Sequence, residues 1–298
     1  MEGRRLLTVA VAVWTALWMA GLCAAQAGEA PMTNPFFAMC TGTRDDQHKS
    51  FAAQAEMLKQ LGYAGTDQLG TEGLPEYLAE LDKRGLRFFA VYTTVNIDPS
   101  DAQWEPGLEK AIQDLKGRDA FLWLSLISKK HGVSSPDGDQ NAVDVITRIA
   151  DMAKPNGLRI ALYPHTACWL ERVEDAVRVA QKVNRPDVGV TFNECHWLKV
   201  DGKDLRARLE LAKPYLFVVT ISGADTGGTD WKTLIQTLDR GSFNQGELLS
   251  ILRELKYTGP IGLQGYGIGG DVHENLRRSM EAWRALSASN ARAPQPAK

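Results

Sequence analysis

The sequence predicts an α/β fold of the (β/α)8 or TIM barrel type, formed by a single domain. Eight apolar segments with the character of strands alternate with eight segments in which apolar residues recur at helical spacing. The connections from a helix to the next strand are short, whereas those that follow a strand are long. Of the 298 residues, 271 remain after an N-terminal leader of 27 residues, and this length suits one such barrel.

The clearest unit is a strand, a helix and a second strand, predicted at residues 160–165, 173–183 and 188–192. Its length is that of a right-handed parallel crossover. The other strands are expected at residues 36–40, 64–67, 88–93, 121–127, 216–222 and 261–264. The other helices are expected at residues 50–61, 74–84, 107–115, 142–154, 205–212, 246–255 and 274–286, so the barrel is predicted to span residues 28–286.

The two termini are predicted to lie outside the barrel. Arg4 and Arg5 precede an apolar run at residues 6–22, and small residues follow at Ala25 and Ala27, a pattern typical of a cleaved signal peptide at residues 1–27. The alternative is a single membrane anchor. Cleavage predicts an exported protein, periplasmic or secreted, with no stable membrane insertion. Residues 287–298 are rich in Ala and Pro and are predicted to be a disordered tail.

The charge of the chain bears on its partners, and its cysteines bear on a possible disulfide. The formal net charge is −2 and no basic run is present, which argues against nucleic acid as the partner. Beyond the leader the chain has three cysteines, Cys40, Cys168 and Cys195. Cys168 and Cys195 follow neighbouring predicted strands, so they form a disulfide or remain, like Cys40, partly buried thiols.

Polar side chains at the predicted carboxyl ends of the strands form a candidate ligand site, because these ends share one rim in a barrel. Most of them donate and accept hydrogen bonds and few carry charge, which favours a neutral polyhydroxylated ligand. The residues are Tyr92, Thr93, Tyr163, His165, Asn193, His196, Thr220, Ser222, Gln264 and Tyr266.

Tryptophans also follow several predicted strands. An indole face packs against the C–H face of a sugar ring, so Trp169, Trp197 and Trp231 favour a small-molecule carbohydrate as the partner. The alternative is that these rings fill the rim of the barrel as core. The two histidines are weak candidates for a divalent metal, and hydrogen bonding is the alternative role for each.

The chain resembles the xylose isomerase-like barrels over nearly its whole length after the leader, and most strongly at residues 159–197 and 238–286. The family includes sugar phosphate isomerases and epimerases, keto-sugar 3-epimerases, inosose dehydratases and metal-dependent apurinic-site DNA endonucleases. The stretch LDRGSFNQGELLSILRELKYTGPIGLQGYG is similar to the family's Gly-rich turn, helix and last strand. In epimerase-type members, a Glu, an Asp, a His and a Glu at the ends of strands five to eight hold a divalent metal.

Matched to this resemblance, the four metal-binding positions carry Tyr163, Asn193, Thr220 and Gln264. A divalent metal is therefore possible as a cofactor, but the family's carboxylate ligands are absent and a hard cation loses its charge compensation. His165 and His196 keep the family's pattern. With Tyr163, they are the expected catalytic residues, and Glu194 is expected to point into solvent.

The sequence thus predicts an exported, sugar isomerase-like, epimerase-like or lyase-like protein that acts on a carbohydrate or sugar derivative by proton transfer. The alternative is a non-catalytic carbohydrate-binding barrel. A role in DNA repair is disfavoured by the absent basic face. The expected ligand-binding residues are Asn193, Gln264, Thr220, Tyr92, Trp169, Trp197 and Trp231.

Overall fold

Eight parallel strands close into a barrel in the order of the sequence, β1 to β8, in a computed structural model of the protein. The structure describes residues 31–99 and 102–288, so the predicted signal peptide and nearly all of the predicted tail lie outside the described residues. The predicted (β/α)8 barrel is confirmed. The strands are β1 Phe36–Ala38, β2 Gly65–Leu69, β3 Arg87–Asn96, β4 Phe121–Ile127, β5 Arg159–Leu162, β6 Val188–Asn193, β7 Leu216–Ile221 and β8 Ile261–Leu263.

Helices surround the barrel, and two of them lie in segments that the sequence predicts as loops. These two are α6 (Glu194–Val200), directly after β6, and α8 (Trp231–Leu234), in the connection after β7. The others are α1 Phe51–Leu61, α2 Leu74–Asp82, α3 Leu108–Asp114, α4 Asp139–Ala153, α5 Val173–Val183, α7 Leu205–Ala212, α9 Gln245–Glu254 and α10 Val272–Ser287.

Local chemistry explains where these helices begin and end. Helix α1 begins after Ser50, whose side chain accepts a hydrogen bond from the Ala53 amide, and it ends at Gly62, which has a φ of 87°. Helix α10 continues to Ser287, one residue into the predicted tail. Among the described residues, no helix has both the length and the apolar character needed to cross a membrane.

The core has two parts, separated by the sheet. Side chains alternate between the inside of the barrel and the layer between strands and helices. Trp123 on β4 lies inside the barrel, fully buried, and its indole Nε1–H donates a hydrogen bond to the Thr191 hydroxyl on β6. The buried residues inside the barrel are Phe37, Met39, Phe89, Ala90, Phe121, Trp123, Ala161, Tyr163 and Val218.

The same alternation brings the four positions matched to the family's metal ligands to the inner face. Ala161 and Val218 point inward, so Tyr163 and Thr220, two residues further on, point inward too. Asn193 is paired with Thr220 in the register of β6 and β7, and Gln264 directly follows β8. All four side chains therefore converge on the carboxyl end of the barrel.

Candidate functional site

A cavity of about 350 Å³ opens at the carboxyl ends of the strands. This size falls in the range of small-molecule sites, and no residue that lines it is an acid, a lysine or an arginine. Aromatic and aliphatic side chains form most of the wall. The lining residues are Met39, Thr41, Leu69, Tyr92, Tyr163, His165, His196, Trp231, Ile235, Gln264 and Tyr266.

Two imidazoles lie side by side in this cavity. The ring centroids of His165, after β5, and His196, on α6, are 4.1 Å apart. Nδ1 of His196 accepts a hydrogen bond from the Thr166 amide at 3.1 Å and lies 3.0 Å from the Thr166 hydroxyl. Nδ1 of His165 lies 2.9 Å from the Thr166 carbonyl oxygen. Thr166, which the sequence analysis missed, therefore contacts both rings.

Burial keeps both imidazoles uncharged. Desolvation lowers the pKa of His165 below its usual range, although the hydrogen bond to the Thr166 carbonyl opposes this shift. Desolvation lowers the pKa of His196 still further, and the nearby His165 acts in the same direction, since two positive charges at this separation repel each other. At neutral pH each ring therefore has one N–H and one free lone pair.

Tyrosine hydroxyls add donors beside the histidines. The Tyr163 ring lies 6.0 Å from the His196 ring and 4.7 Å from the Tyr92 ring. Burial raises the pKa of Tyr163 well above its usual range, and that of Tyr92 to about 12. Both phenols therefore keep their protons at neutral pH and can donate hydrogen bonds to a ligand.

Gln264 presents its amide nitrogen to the cavity. Its Oε1 accepts hydrogen bonds from the Thr41 hydroxyl at 2.7 Å and from the Tyr266 amide at 3.0 Å, which fixes the orientation of the side-chain amide. Thr41 was also missed, although it directly follows the predicted first strand and the rim position could have indicated it. Close by, a Cβ atom added to Gly42 would lie 2.8 Å from the Cα of Gly265, so only glycine allows this backbone approach.

Asn193 and Thr220 lie next to each other but do not line the cavity. Both side chains are buried. Oγ1 of Thr220 has no hydrogen-bond partner among the residues that the structure describes, and the amide nitrogen of Asn193 has only a loose contact with the Tyr163 hydroxyl, which lowers the Tyr163 pKa slightly. The Cys195 thiol donates to Oδ1 of Asn193 at 3.3 Å. Cys40, Cys168 and Cys195 are free thiols, so the disulfide considered between Cys168 and Cys195 is absent in the described chain.

Of the three tryptophans expected at the ligand, only Trp231 lines the cavity, with its ring 5.2 Å from the His196 ring. Trp169 is 2% exposed, packs in the core and donates its N–H to the Ser135 carbonyl. Trp197 packs on Phe192, and its N–H bonds to a backbone carbonyl. The structure therefore corrects the predicted placement of Trp169 and Trp197 at the ligand pocket. The Trp169 ring packs in the hydrophobic core, and the Trp197 ring packs against Phe192.

The segment between β7 and α9, residues 222–244, carries Trp231 and Ile235 into the cavity and is held by hydrogen bonds within itself. Gly223 and Gln236 form an isolated antiparallel bridge. The Asp225 carboxylate accepts hydrogen bonds from the Gln236 side chain and from the Ser242 amide. Asp230 caps α8 by accepting from two backbone amides. This bonding fixes one wall of the cavity.

Glu194 is buried, which corrects the expectation of a solvated side chain. The chain turns into α6 at this residue, so strand alternation no longer sets its direction. The Gln245 amide nitrogen donates to its Oε1 at 2.6 Å, whereas Oε2 has no partner in the described part of the chain. Desolvation raises the pKa of Glu194 to about 8, against the opposing effects of the Gln245 hydrogen bond and of the nearby Ser222 backbone amide.

Asp67 is a second buried acid near the cavity. It lies on β2, fully buried, and accepts a hydrogen bond from the Cys40 amide at 2.6 Å. Desolvation raises the pKa of Asp67 to about 7. Its negative charge raises the pKa values of Tyr92 and Tyr163 slightly. The predicted second strand ended at Asp67, and sites in such barrels form at the carboxyl ends of the strands, so the sequence could have identified this residue too.

The residues at this end of the barrel do not fit the divalent metal that the family implies. Among residues 31–99 and 102–288, no group of three or more His, Cys, Asp or Glu side chains could hold a metal ion. His165 and His196 are the only members of the lining set that belong to these residue types. Both use Nδ1 to bond Thr166, so the residues provide neither the number nor the charge of ligands for a hard cation.

A larger cavity, of about 440 Å³, lies at the opposite, amino-terminal end of the barrel. Arg87 and Arg159, the first residues of β3 and β5, pair there with Asp119, which is 67% exposed. Barrel enzymes build their sites at the carboxyl ends of the strands. The buried, convergent polar groups lie at that end too, so the cavity with the two histidines is the candidate functional site.

Comparison with known proteins identifies relatives that match most of the barrel. A family model described as xylose isomerase-like TIM barrel matches residues 55–286. An inosose isomerase from Halalkalibacterium halodurans is 20% identical over 239 residues, which cover 73% of this chain and 83% of that protein.

Solved structures agree in fold. The IolI protein with a bound zinc atom superposes with a TM-score of 0.69 at 17% identity, covering 85% of this chain and 98% of that one. The 3-keto-D-glucoside 4-epimerase YcjR from E. coli gives a TM-score of 0.65 at 17% identity, covering 84% and 99%.

Proposed function

We propose that this chain, which belongs to the xylose isomerase-like TIM barrel family, is an isomerase, epimerase or lyase that moves a proton on an uncharged carbohydrate or sugar derivative. The observation that carries the proposal is the pair of neutral imidazoles, 4.1 Å apart, in a cavity lined by aromatic, aliphatic and uncharged polar side chains. The names of the relatives, an inosose isomerase and a keto-glucoside epimerase, support the same reaction class.

The lining of the cavity supports an uncharged substrate. A phosphate group is usually bound by arginine, lysine or a helix N-terminus, and no arginine or lysine lines this cavity. Hydroxyl and carbonyl groups match the Gln264 amide and the tyrosine hydroxyls, while Trp231 and Tyr266 offer aromatic faces for a sugar ring.

The proposed catalytic groups are His165, His196 and Tyr163. An imidazole with a free lone pair at neutral pH can remove a proton from carbon next to a carbonyl group. An N–H or phenolic O–H can stabilise the negative charge that then develops on the carbonyl oxygen. The base and the donors are all side chains of this protein, so the proposed reaction requires no metal ion.

The alternative is a non-catalytic carbohydrate-binding barrel. The observation that favours it is the replacement of the carboxylates that other family members use, by Tyr163, Asn193 and Gln264. In that case the cavity would bind the same class of ligand without exchanging its protons.

Proton exchange separates the two functions. The protein is incubated in deuterated water with an inosose and, separately, with a 3-keto-D-glucoside, and deuterium in the sugar is followed by NMR. We expect exchange that resists a chelator, is lost in His165→Ala and His196→Ala, and persists in the control His273→Ala, because His273 does not line the cavity. Binding without exchange supports the alternative, and neither binding nor exchange of any carbohydrate contradicts both functions.

We also propose that the protein is exported. The support is the leader, in which Arg4 and Arg5 precede the apolar run at residues 6–22. Expression of the full chain, cell fractionation and N-terminal sequencing test this. A mature N-terminus near Gly28 in the exported fraction is expected, and an uncleaved chain in the cytoplasm would contradict it.

A further inference from the structure

A single residue, Thr166, contacts both imidazoles of the candidate site through different atoms. Its amide N–H and hydroxyl face Nδ1 of His196, and its carbonyl oxygen faces Nδ1 of His165. Nε2 of each ring has no hydrogen-bond partner among the residues of the described ranges, and both rings line the cavity. Thr166 therefore occupies the two Nδ1 atoms and leaves the two Nε2 atoms for a ligand.

The contacts assign a tautomer to His196. A backbone amide can only donate a hydrogen bond, so Nδ1 of His196 must offer it a lone pair at 3.1 Å. The ring is neutral, because burial lowers its pKa. The ring proton is therefore on Nε2, and His196 presents an N–H donor to the cavity.

The same reasoning gives His165 the opposite tautomer. A carbonyl oxygen can only accept, so Nδ1 of His165, 2.9 Å away, must carry the proton. The Cys168 sulfur, 3.6 Å from the same nitrogen, is a weak partner by comparison. Nε2 of His165 therefore has a free lone pair and presents an acceptor to the cavity.

We propose that Thr166 is a positioning residue that fixes the two histidines as a donor and acceptor pair for enolising an uncharged α-hydroxy ketone. This inference rests on the proposed function. His165 Nε2 takes the proton from carbon, and the C–H electron pair becomes the C=C bond of the enediol. The carbonyl π pair moves to its oxygen, which receives the hydrogen bond or the proton of His196 Nε2–H. Isomerisation is completed when His165 returns its proton to the former carbonyl carbon and the hydroxyl on the neighbouring carbon loses its proton to become the new carbonyl group. That hydroxyl proton restores the proton of His196 Nε2 or of the former carbonyl oxygen, so no oxidant or reductant is needed.

The arrangement also explains how a barrel without the family's acidic ligands could polarise a carbonyl group. The Nε2–H of His196 and the Gln264 amide provide neutral donors at the wall of the cavity. Coordination of one ion by Nε2 of both rings would require the His196 proton to move to Nδ1, where it would oppose the Thr166 N–H.

The tautomers can be measured on the free protein, without any sugar. We expect ¹⁵N NMR of histidine-labelled protein at pH 7.5 to show His196 with its proton on Nε2 and His165 with its proton on Nδ1. Cys168→Ala should leave the His165 tautomer unchanged. The same tautomer on both rings, or a charged ring at this pH, would overturn the proposal whether or not the protein is an isomerase.

Substitution of Thr166 tests the positioning role. Thr166→Val removes the hydroxyl but keeps the backbone contacts, so we expect both tautomers to persist, the ¹⁵N resonance of His196 Nδ1 to shift, and a kcat for proton exchange about tenfold lower, the effect of losing one hydrogen bond. KM should be unchanged, and Thr166→Ser should restore kcat. A Thr166→Val protein with both the spectrum and the kcat of the wild type would refute the role. If no sugar undergoes exchange while the two tautomers stand as assigned, the proposed function fails and the tautomer assignment survives.

Discussion

Replacing the buried Glu194 by glutamine should change how the stability of the protein depends on pH. The carboxyl group is fully buried, and one of its oxygens has no hydrogen-bond partner in the described chain. Oε1 of Gln245 also lacks a partner there. A glutamine at position 194 has the same shape, cannot ionise and could donate its amide N–H to that oxygen.

The sign and size of the effect follow from the pKa of Glu194. Burial raises this pKa from 4.5 to about 8, so between these values the folded protein holds a proton that the unfolded chain has released. The stabilisation is complete below about pH 4.5 and is lost as the pH rises through about 8. The slope is about 1.4 kcal/mol per pH unit, so from pH 5 to pH 8 the wild type should lose roughly 3 kcal/mol relative to Glu194→Gln.

Urea unfolding of both proteins at pH 5, 6, 7 and 8 measures this difference. Asp67, whose pKa is also raised, to about 7, contributes a loss of the same sign to both proteins and cancels from the comparison. Glu109→Gln, at an exposed position, is the matched control and should follow the wild type. Parallel pH profiles for wild type and Glu194→Gln, or a variant that is less stable at pH 8, would refute the reasoning.

Two further substitutions test the packing that supports the site. Thr191→Val leaves the buried N–H of Trp123 without its acceptor and should lower the free energy of unfolding by about 1–3 kcal/mol in urea titrations. Thr191→Ser keeps the acceptor and loses only a buried methyl group, so it should cost less, and equal losses would contradict the hydrogen bond. Gly42→Ala places a Cβ 2.8 Å from the Gly265 backbone, so it should lower the free energy of unfolding by about 1–3 kcal/mol and reduce the thermal shift given by a ligand. The control Gly132→Ala, with no atom within 4 Å of its new Cβ, should change neither quantity. A Gly42→Ala protein as stable as the wild type would contradict the close approach.

The fold could be predicted from the sequence because its signals are local. Apolar periodicity, glycine and proline at helix ends and the alternation of short and long connections together specify a parallel barrel. Barrel topology then brings the carboxyl ends of the strands together. For this reason Tyr92, Tyr163, His165, His196 and Gln264 could be predicted to share one cavity before any contact was known.

The remaining features depend on contacts that a sequence pattern does not contain. Trp169 packs into the core against Gly138, where an added Cβ would lie 2.9 Å from the indole ring. Glu194 is buried beside Gln245 of α9 because the chain turns into α6 directly after Asn193. The Thr166 amide donates a hydrogen bond to His196, which is 30 residues further along the chain, and only the packing of the folded barrel brings the two residues together.

The connection between β7 and α9 has a consequence for how this barrel can diversify. The segment at residues 222–244 is braced by bonds within itself, such as the Gly223–Gln236 bridge, and is tied to α10 by the Leu238 amide, which donates to the Ser279 hydroxyl, and by the Arg278–Asp239 ion pair. Exchanging it as one cassette would swap the indole of Trp231 and the side chain of Ile235 together while every strand kept its sequence. For the proposed function, this places one wall of the cavity on a different segment of the chain from the two imidazoles.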